Sequence, residues 1–233
     1  MTGGLGTLMN IVTVLIGGSV GLILGSRLKK SLNEAVINAM ALVVIVIGVQ
    51  MAFESKNILI VLASLVIGTI IGELINIDSY VSQIGNFMEQ KFSKDKDGKF
   101  ARAFVTASLI FCVGPLTILG SIQDGLTGDY KLLATKSMLD GFTAVMFASA
   151  MGVGVIFSAL SIFIIQGGLT LFAGTLIGVM TEAVIAEITG VGGVMVFSIG
   201  LGILGIKKLK TVNMLPALII APMIVLFISN LGK

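Results

Sequence analysis

The chain has 233 residues, of which 56% are hydrophobic and 12% are charged, and its mean hydropathy is +1.09. This composition excludes a soluble domain with a polar surface and predicts a polytopic membrane protein. The sequence contains no His, one Cys and no Walker-type phosphate loop, so we expect no metal site, no cofactor and no enzymatic activity. The formal charge of +3 comes from lysines between apolar segments and does not indicate nucleic-acid binding.

Eight apolar segments are long enough to form transmembrane helices. They span residues 6–25, 35–53, 57–76, 101–122, 131–150, 154–179, 188–206 and 212–230. At about 20 residues a span, eight helices leave room for short loops but not for a separate soluble domain. The first segment lacks a basic n-region and is expected to be retained as a span. We therefore predict an all-α polytopic membrane protein with about eight transmembrane helices.

The positions of Lys and Arg predict the orientation. Eleven of the fifteen basic residues fall on one side if the N-terminus lies outside and every segment crosses: Arg27, Lys29, Lys30, Lys91, Lys94, Lys96, Lys99, Arg102, Lys207, Lys208 and Lys210. By the positive-inside rule this side is cytoplasmic, so both termini are predicted to lie outside. A re-entrant loop at residues 101–127 would move the last three lysines outside, so full crossing is favoured. Residues 77–100 form a cytoplasmic connector, either an amphipathic helix on the inner leaflet or a linker packed on the bundle.

Glycine spacing indicates an internal repeat. Gly21-x-x-x-Gly25 in the first segment superposes on Gly174-x-x-x-Gly178 in the sixth. These two segments run in opposite directions, so residues 1–76 and 151–233 are predicted to be inverted-topology three-helix repeats flanking central helices at 101–150, as in many secondary transporters. The alternative is a coincidence of small-residue packing in a glycine-rich chain.

One face of the fifth segment carries ionisable residues. Lys136, Asp140 and Thr143 follow each other at i, i+4 and i+7. A carboxylate at membrane depth costs about 2.5–3.5 kcal/mol, so Asp140 needs a partner, a water-filled cavity or a functional role. Two interpretations are open: Asp140 is a proton or cation site whose charge Lys136 balances, or the two form a structural ion pair. In a variant of the structural interpretation, the Lys136 side chain extends to the outer membrane interface.

The fourth segment is interrupted at Gly114-Pro115, because proline removes a backbone donor and disfavours helical geometry at the residue before it. Ser121, Gln123 and Asp124 follow the break, and exposed carbonyl groups beside it would coordinate a cation or polar solute. The alternative is an extracellular turn, since Asp124-Gly125 is good turn chemistry. Gln123 and Asp124 belong to the predicted solute site only if residues 114–127 fold into the bundle. Glu34, Asn38 and Gln50 in the second segment, and Gln166 and Glu187 in the second repeat, are secondary candidates.

Two runs of this central region resemble a known family. The runs FCVGPLTILGSIQDGLTGDY at 111–130 and KSMLDGFT at 136–143 resemble the signature of the YdfK/YqgA family of bacterial inner-membrane domains of unknown function, and the resemblance covers the whole chain. It implies a protein of the bacterial cytoplasmic membrane with a transporter-like role. It supplies no substrate and no mechanism.

These features together predict an ion-coupled secondary transporter of a small polar solute or ion. The solute would bind at the Gly114-Pro115 break and residues 121–124, and Asp140 would exchange a proton or Na⁺. The alternatives are an oligomeric channel lined by the same break and a non-transporting sensor or scaffold that recruits a partner through residues 88–102. The expected partners are the lipid bilayer, the solute and, in an oligomer, further copies of the chain.

Overall fold

A computed structural model of the chain describes residues 3–26, 30–81, 83, 87, 99–207 and 209–231, in which every regular element is helical. The predicted all-α class is confirmed. The helices are α1 (Leu5–Gly25), α2 (Lys30–Ala52), α3 (Ile58–Ile75), α4 (Lys99–Cys112), α5 (Pro115–Thr127), α6 (Lys131–Met151), α7 (Gly154–Leu171), α8 (Ala173–Leu176), α9 (Glu182–Ile203) and α10 (Ala217–Leu231), with a 3₁₀ turn at Thr211–Met214. Residues 77–81 are also helical. The rest of the predicted connector up to residue 98 lies almost wholly outside the described residues, as do Arg27, Lys29 and Lys208.

Six described helices are long and apolar enough to cross a membrane, namely α1, Glu34–Ala52 of α2, α3, α7, α9 and Thr211–Ser229. A seventh span results if α4 and α5, which are inclined by 60° at the Gly114-Pro115 break, count together. Helix α6 has 21 residues, about 31 Å at 1.5 Å per residue, but its charged side chains keep it out of this apolar set. The structure therefore supports six or seven spans and does not confirm eight.

The largest differences from the predicted helix boundaries are at the sixth and seventh helices. The sixth predicted helix ends at Leu171 rather than at residue 179, and the short α8 follows it. The seventh begins at Glu182 rather than at residue 188. Thr181 is its N-cap and accepts a hydrogen bond from the Val184 backbone N–H at 3.3 Å. A hydroxyl cap followed by an acidic residue in the first turn is favourable helix-start chemistry, which the apolar pattern alone does not reveal.

The chain divides into two compact units. Residues 1–40 and 83–177 form the first unit, and residues 41–82 and 178–233 form the second. Helices α1 and α4–α8 belong to the first unit, α3, α9 and α10 belong to the second, and α2 contains the boundary. The inverted repeat stays a prediction.

In the first unit, glycines on α1 allow this helix to pack closely on α6. A Cβ atom at Gly17, Gly21 or Gly25 would overlap a backbone carbonyl oxygen, that of Gly141, Val145 or Ser149 respectively. Backbone atoms on a packed helix have little freedom to move, so the missing Cβ atoms set the distance between these helices. A Cβ atom at Gly174 or Gly178 would meet nothing within 4 Å. Gly174 and Gly178, which the predicted repeat pairs with Gly21 and Gly25, therefore do not share the packing role of the α1 glycines.

The second unit is also packed through glycines. Gly48 of α2 and Gly193 of α9 lie against each other's backbone carbonyl groups, and Gly72 of α3 lies against the backbone of Asn213. The side chains of Asn213 and Lys210 both donate hydrogen bonds to the Glu73 carboxylate. The hydrogen bond from Lys210 to Glu73 and the attraction of the Glu73 carboxylate raise the pKa of Lys210 above its usual range.

Glu187 of α9 holds the start of α3 in the second unit. Its carboxylate accepts hydrogen bonds from the Ser55 hydroxyl at 2.6 Å and from the backbone N–H groups of Lys56 and Asn57 at 2.9 Å. The first N–H groups of a helix have no partner within it, and a carboxylate there is favoured by the helix dipole. The secondary site candidate Glu187 is thus engaged as a structural cap.

Candidate functional site

Helix α5 packs into the first unit against α6 and α7. Ser121 and Asp124 are fully buried, so these residues do not form an extracellular turn. The Ser121 hydroxyl donates to the Thr117 carbonyl at 2.6 Å. Gln123 is half-buried and donates to the Asp129 carboxylate at 3.2 Å. Residues 114–127 therefore fold into the bundle, which sequence reasoning left open.

The break between α4 and α5 frees a carbonyl group inside the unit. Pro115 has no N–H, so the carbonyl four residues earlier, that of Phe111, receives no helical hydrogen bond from it. The Lys136 ammonium donates to this carbonyl at 2.7 Å, and the Thr117 hydroxyl donates at 3.1 Å. Lys136 is only 5% exposed. It therefore points into the bundle and does not extend to the outer interface, which removes one of the predicted alternatives.

Lys136 and Asp140 form a buried ion pair on α6, and Asp140 is 7% exposed. The Asp140 Oδ2 atom also accepts a hydrogen bond from the Asn10 Nδ2 atom of α1 at 2.9 Å. The pair is therefore tied to a second helix as well as to the break. Burying two charges costs several kcal/mol per ion unless further hydrogen bonds offset it, and these contacts supply that offset.

Two amides extend the network from α6 to α7. Asn10 donates from Nδ2 to Gln166 Oε1 at 2.9 Å, and Gln166 donates from Nε2 to the Thr7 hydroxyl at 3.3 Å. The hydroxyls of Thr7 and Thr170 are 3.4 Å apart. Asn10 and Gln166 are both 0% exposed. We call Asn10, Lys136, Asp140, Gln166 and the Phe111 carbonyl the buried polar cluster.

One atom of the cluster lacks a partner among the described residues. The Asn10 Nδ2 group makes two hydrogen bonds to oxygen acceptors, which fixes the orientation of the amide. Its Oδ1 atom is buried and accepts no hydrogen bond. An unsatisfied buried acceptor costs about 1–3 kcal/mol. The cluster therefore offers a free acceptor to a hydrogen-bond donor or a cation.

Asp124 lies apart from this cluster and caps α1. Its Oδ2 atom accepts from the backbone N–H groups of Gly4 and Gly6 at 3.0 and 3.2 Å. Gly4 is the N-cap of α1 and has no side chain to do this. Asp124 thus supplies, from another helix, the carboxylate that the helix start favours.

Thr143 shares a helical face with Asp140 but is not joined to the cluster by a hydrogen bond. Its hydroxyl donates to the Leu139 carbonyl of its own helix at 2.8 Å. Of the eight predicted site residues, the structure brings together Lys136, Asp140 and the Gly114-Pro115 break. It places Ser121, Gln123, Asp124 and Thr143 outside this group, bonded to the Thr117 carbonyl, the Asp129 carboxylate, the start of α1 and the Leu139 carbonyl respectively.

A partly open cavity of about 540 Å³ adjoins the Thr7 end of the network. Thr7 and Thr170 contribute its polar wall. Glycines and apolar side chains complete the lining, including Gly3, Gly4, Gly167, Gly168, Ile11 and Phe163. This volume lies within the range of small-molecule pockets, about 300–1,000 Å³. A small solute in the cavity would contact the two hydroxyls that continue into the buried polar cluster.

Sequence reasoning did not identify Thr7, Asn10 and Thr170. The available signal was an amide in the middle of the first apolar run, since a polar side chain at membrane depth needs a partner. Gln166 gave the same signal and was identified as secondary. The sequence does not show that α1, α6 and α7 are neighbours, and this adjacency creates the cluster.

The apolar spans and the charged pair buried between helices define a multi-pass α-helical membrane protein. The chain belongs to the DUF554 family, because the model of this family, described as a protein of unknown function, matches residues 5–226. The predicted resemblance is thereby confirmed.

Two relatives resemble the chain along almost its full length. The uncharacterized membrane protein YdfK of Bacillus subtilis (strain 168) is 37% identical over 231 residues, which is 97% of this chain and 98% of the relative. The uncharacterized protein YqgA of Escherichia coli (strain K12) is 30% identical over 221 residues, 93% of this chain and 94% of the relative. No solved structure matches the chain.

Proposed function

We propose that this protein is an ion-coupled secondary transporter of a small polar solute or ion in the bacterial cytoplasmic membrane, with both termini outside. The buried polar cluster is its binding site. The observation that carries the proposal is the Lys136–Asp140 pair, which is buried and bonded at once to the carbonyl at a helix break and to an amide on α1.

A purely structural ion pair accounts for these contacts less well. Well-packed hydrophobic residues often replace a buried pair without loss of stability, so a structural role does not require polar groups from several helices. Ionisable groups at membrane depth mark solute and ion pathways by default.

The cavity provides the access that a transporter needs. Thr7 and Thr170 are the side chains with hydroxyl groups in its lining, so a polar solute in the cavity would bond to them. It then exchanges hydrogen bonds with Gln166 and Asn10, whose amides both donate and accept. Asp140 lies at the inner end of this path, where a change in its charge alters the hydrogen bonds that hold Asn10. Binding of solute and binding of the coupling ion are thereby linked.

The test is solute uptake into proteoliposomes. A panel of small polar solutes is first screened for protection against thermal unfolding, and gradient-driven uptake is then measured for each solute that binds. We expect Asp140→Asn to abolish coupled uptake. Thr143→Val, a change one turn away on the same helix and outside the cluster, should leave it intact. Unchanged coupled uptake in Asp140→Asn would refute the role of this carboxylate, and single-channel currents in place of saturable uptake would favour a channel.

A further inference from the structure

We propose that the Lys136 ammonium is a tethered cation that fills an oxygen-lined monovalent-cation site, and that this occupancy makes the proton, rather than Na⁺, the coupling ion. The inference rests on the proposed function, because it names the coupling ion of the same site. Its first test measures ion binding and needs no transport.

The groups around the Lys136 Nζ atom are ligands of the kind that an alkali-metal ion takes. The Phe111 carbonyl oxygen lies 2.7 Å from Nζ, and the Asp140 carboxylate accepts a hydrogen bond from the same atom. Asn10, whose Nδ2 group binds that carboxylate, carries a buried Oδ1 atom without a donor. Backbone carbonyl, amide and carboxylate oxygens replace the hydration shell of Na⁺ or K⁺ in protein sites. Here the ammonium contacts one backbone carbonyl oxygen and one carboxylate oxygen, and the Asn10 Oδ1 atom, which is not bonded to the ammonium, is a further oxygen of the cluster.

The surrounding helices provide no further free negative charge that would bind a second cation. Helices α1 and α7 contain no charged residue, and α4 contributes Lys99 and Arg102 only near its start. Asp124 of α5 is bonded to the start of α1. Cys112 of α4 is a further titratable group near both charges of the pair. The ammonium therefore already balances Asp140, and a Na⁺ ion about 4 Å from it would bind roughly 10³-fold more weakly at an effective dielectric constant of 20.

A proton avoids this repulsion because it binds to the carboxylate itself. One proton from the solution on one side forms an O–H bond with Asp140, and the neutral carboxyl group loosens its hold on Lys136. Release of that proton to the other side restores the carboxylate and the ion pair. Each cycle then carries one positive charge, and Na⁺ takes no part in it.

Removing the ammonium should uncover the cation site. The first experiment measures thermal unfolding of the wild type, Lys136→Met and Lys136→Arg in NaCl, KCl or choline chloride at equal ionic strength. We expect no difference between these salts for the wild type and Lys136→Arg. In Lys136→Met, Na⁺ or K⁺ in ten-fold excess over its Kd should raise the melting temperature by about 4 °C relative to choline. In the double variant Lys136→Met/Asp140→Asn, which removes both charges, this rise should disappear.

Two results overturn the inference: specific stabilisation of the wild type by Na⁺, or a Lys136→Met variant that responds to neither cation. If Lys136→Met does not fold in choline, its yield of folded protein takes the place of the melting temperature. A higher yield in NaCl or KCl supports the inference, and equal failure in every salt refutes it.

The second experiment separates this inference from the proposed function. Uptake into wild-type proteoliposomes should follow a pH gradient and should not change when Na⁺ replaces choline. Uptake that requires Na⁺ would refute the inference while the transport proposal stands. Absence of uptake for every solute, together with cation binding in Lys136→Met, would refute transport while the tethered-cation site stands.

Discussion

The close packing of α1 on α6 makes opposite predictions for two glycines that face each other. A Cβ atom at Gly17 would overlap the backbone carbonyl oxygen of Gly141, whereas a Cβ atom at Gly141 would meet the Thr13 Cβ atom at 3.3 Å. In the first case a backbone atom lies 2.3 Å from the new Cβ atom, whereas in the second the nearest atom is at 3.3 Å and needs to give way by only a few tenths of an ångström. We therefore expect Gly17→Ala to destabilise the protein and Gly141→Ala to be tolerated.

The expected difference in the free energy of unfolding between the two variants comes from overpacking alone, because the other contribution is common to both. Replacing Gly with Ala inside a helix favours folding by about 1 kcal/mol, and this gain is common to both positions. Overpacking at a rigid contact costs about 1–3 kcal/mol, and only Gly17→Ala incurs it fully. The two variants should therefore differ by about 1–3 kcal/mol in their free energies of unfolding. For a domain of this size that corresponds to roughly 2–12 °C in melting temperature.

The single cysteine provides the assay. The chain has no Trp, but Cys112 is buried in the first unit, so a thiol-reactive fluorogenic probe reports when this unit opens on heating. Gly17→Ala should react at a lower temperature than the wild type, and Gly141→Ala at the same or a higher temperature. Equal melting temperatures for the two variants would show that α1 and α6 do not pack as described.

Two further predictions concern α1 and the cavity. Asp124→Asn removes the charge at the start of α1 and should lower the free energy of unfolding by about 1–2 kcal/mol, measured by the same thiol assay. The control Gln123→Ala should change it by less than about 0.5 kcal/mol. Unchanged stability in Asp124→Asn would contradict the capping role. Gly168→Leu should reduce solute uptake at least ten-fold at unchanged stability, because its side chain enters the cavity and a Cβ atom there meets nothing within 4 Å. Gly174→Leu is the matched control, since Gly174 is equally unobstructed but does not line the cavity, and equal uptake in both variants would exclude the cavity as the entry route.

The amino-acid sequence determined the class of the protein and the local breaks in its helices. The length and hydropathy of the apolar runs require membrane-spanning helices, because backbone groups in lipid must be satisfied within the segment. The Gly114-Pro115 break follows from covalent geometry, since proline lacks the N–H group. The Lys136–Asp140 pair follows from spacing on one helix. All of these are local properties, which a single sequence carries in full.

The tertiary structure alone decided which helices are neighbours. Lys136 could have extended to the lipid interface, and only the packing of α4 against α6 places the freed Phe111 carbonyl within its reach. Asp124 follows a broken helix and was open to assignment as a turn residue, yet it caps α1, more than a hundred residues earlier in the chain. Asn10 is a polar residue in an apolar run, and it joins the buried polar cluster only because α1, α6 and α7 meet around it. Contacts between distant segments depend on how whole helix surfaces fit together, and hydrophobic periodicity does not encode that fit when nearly every face is apolar.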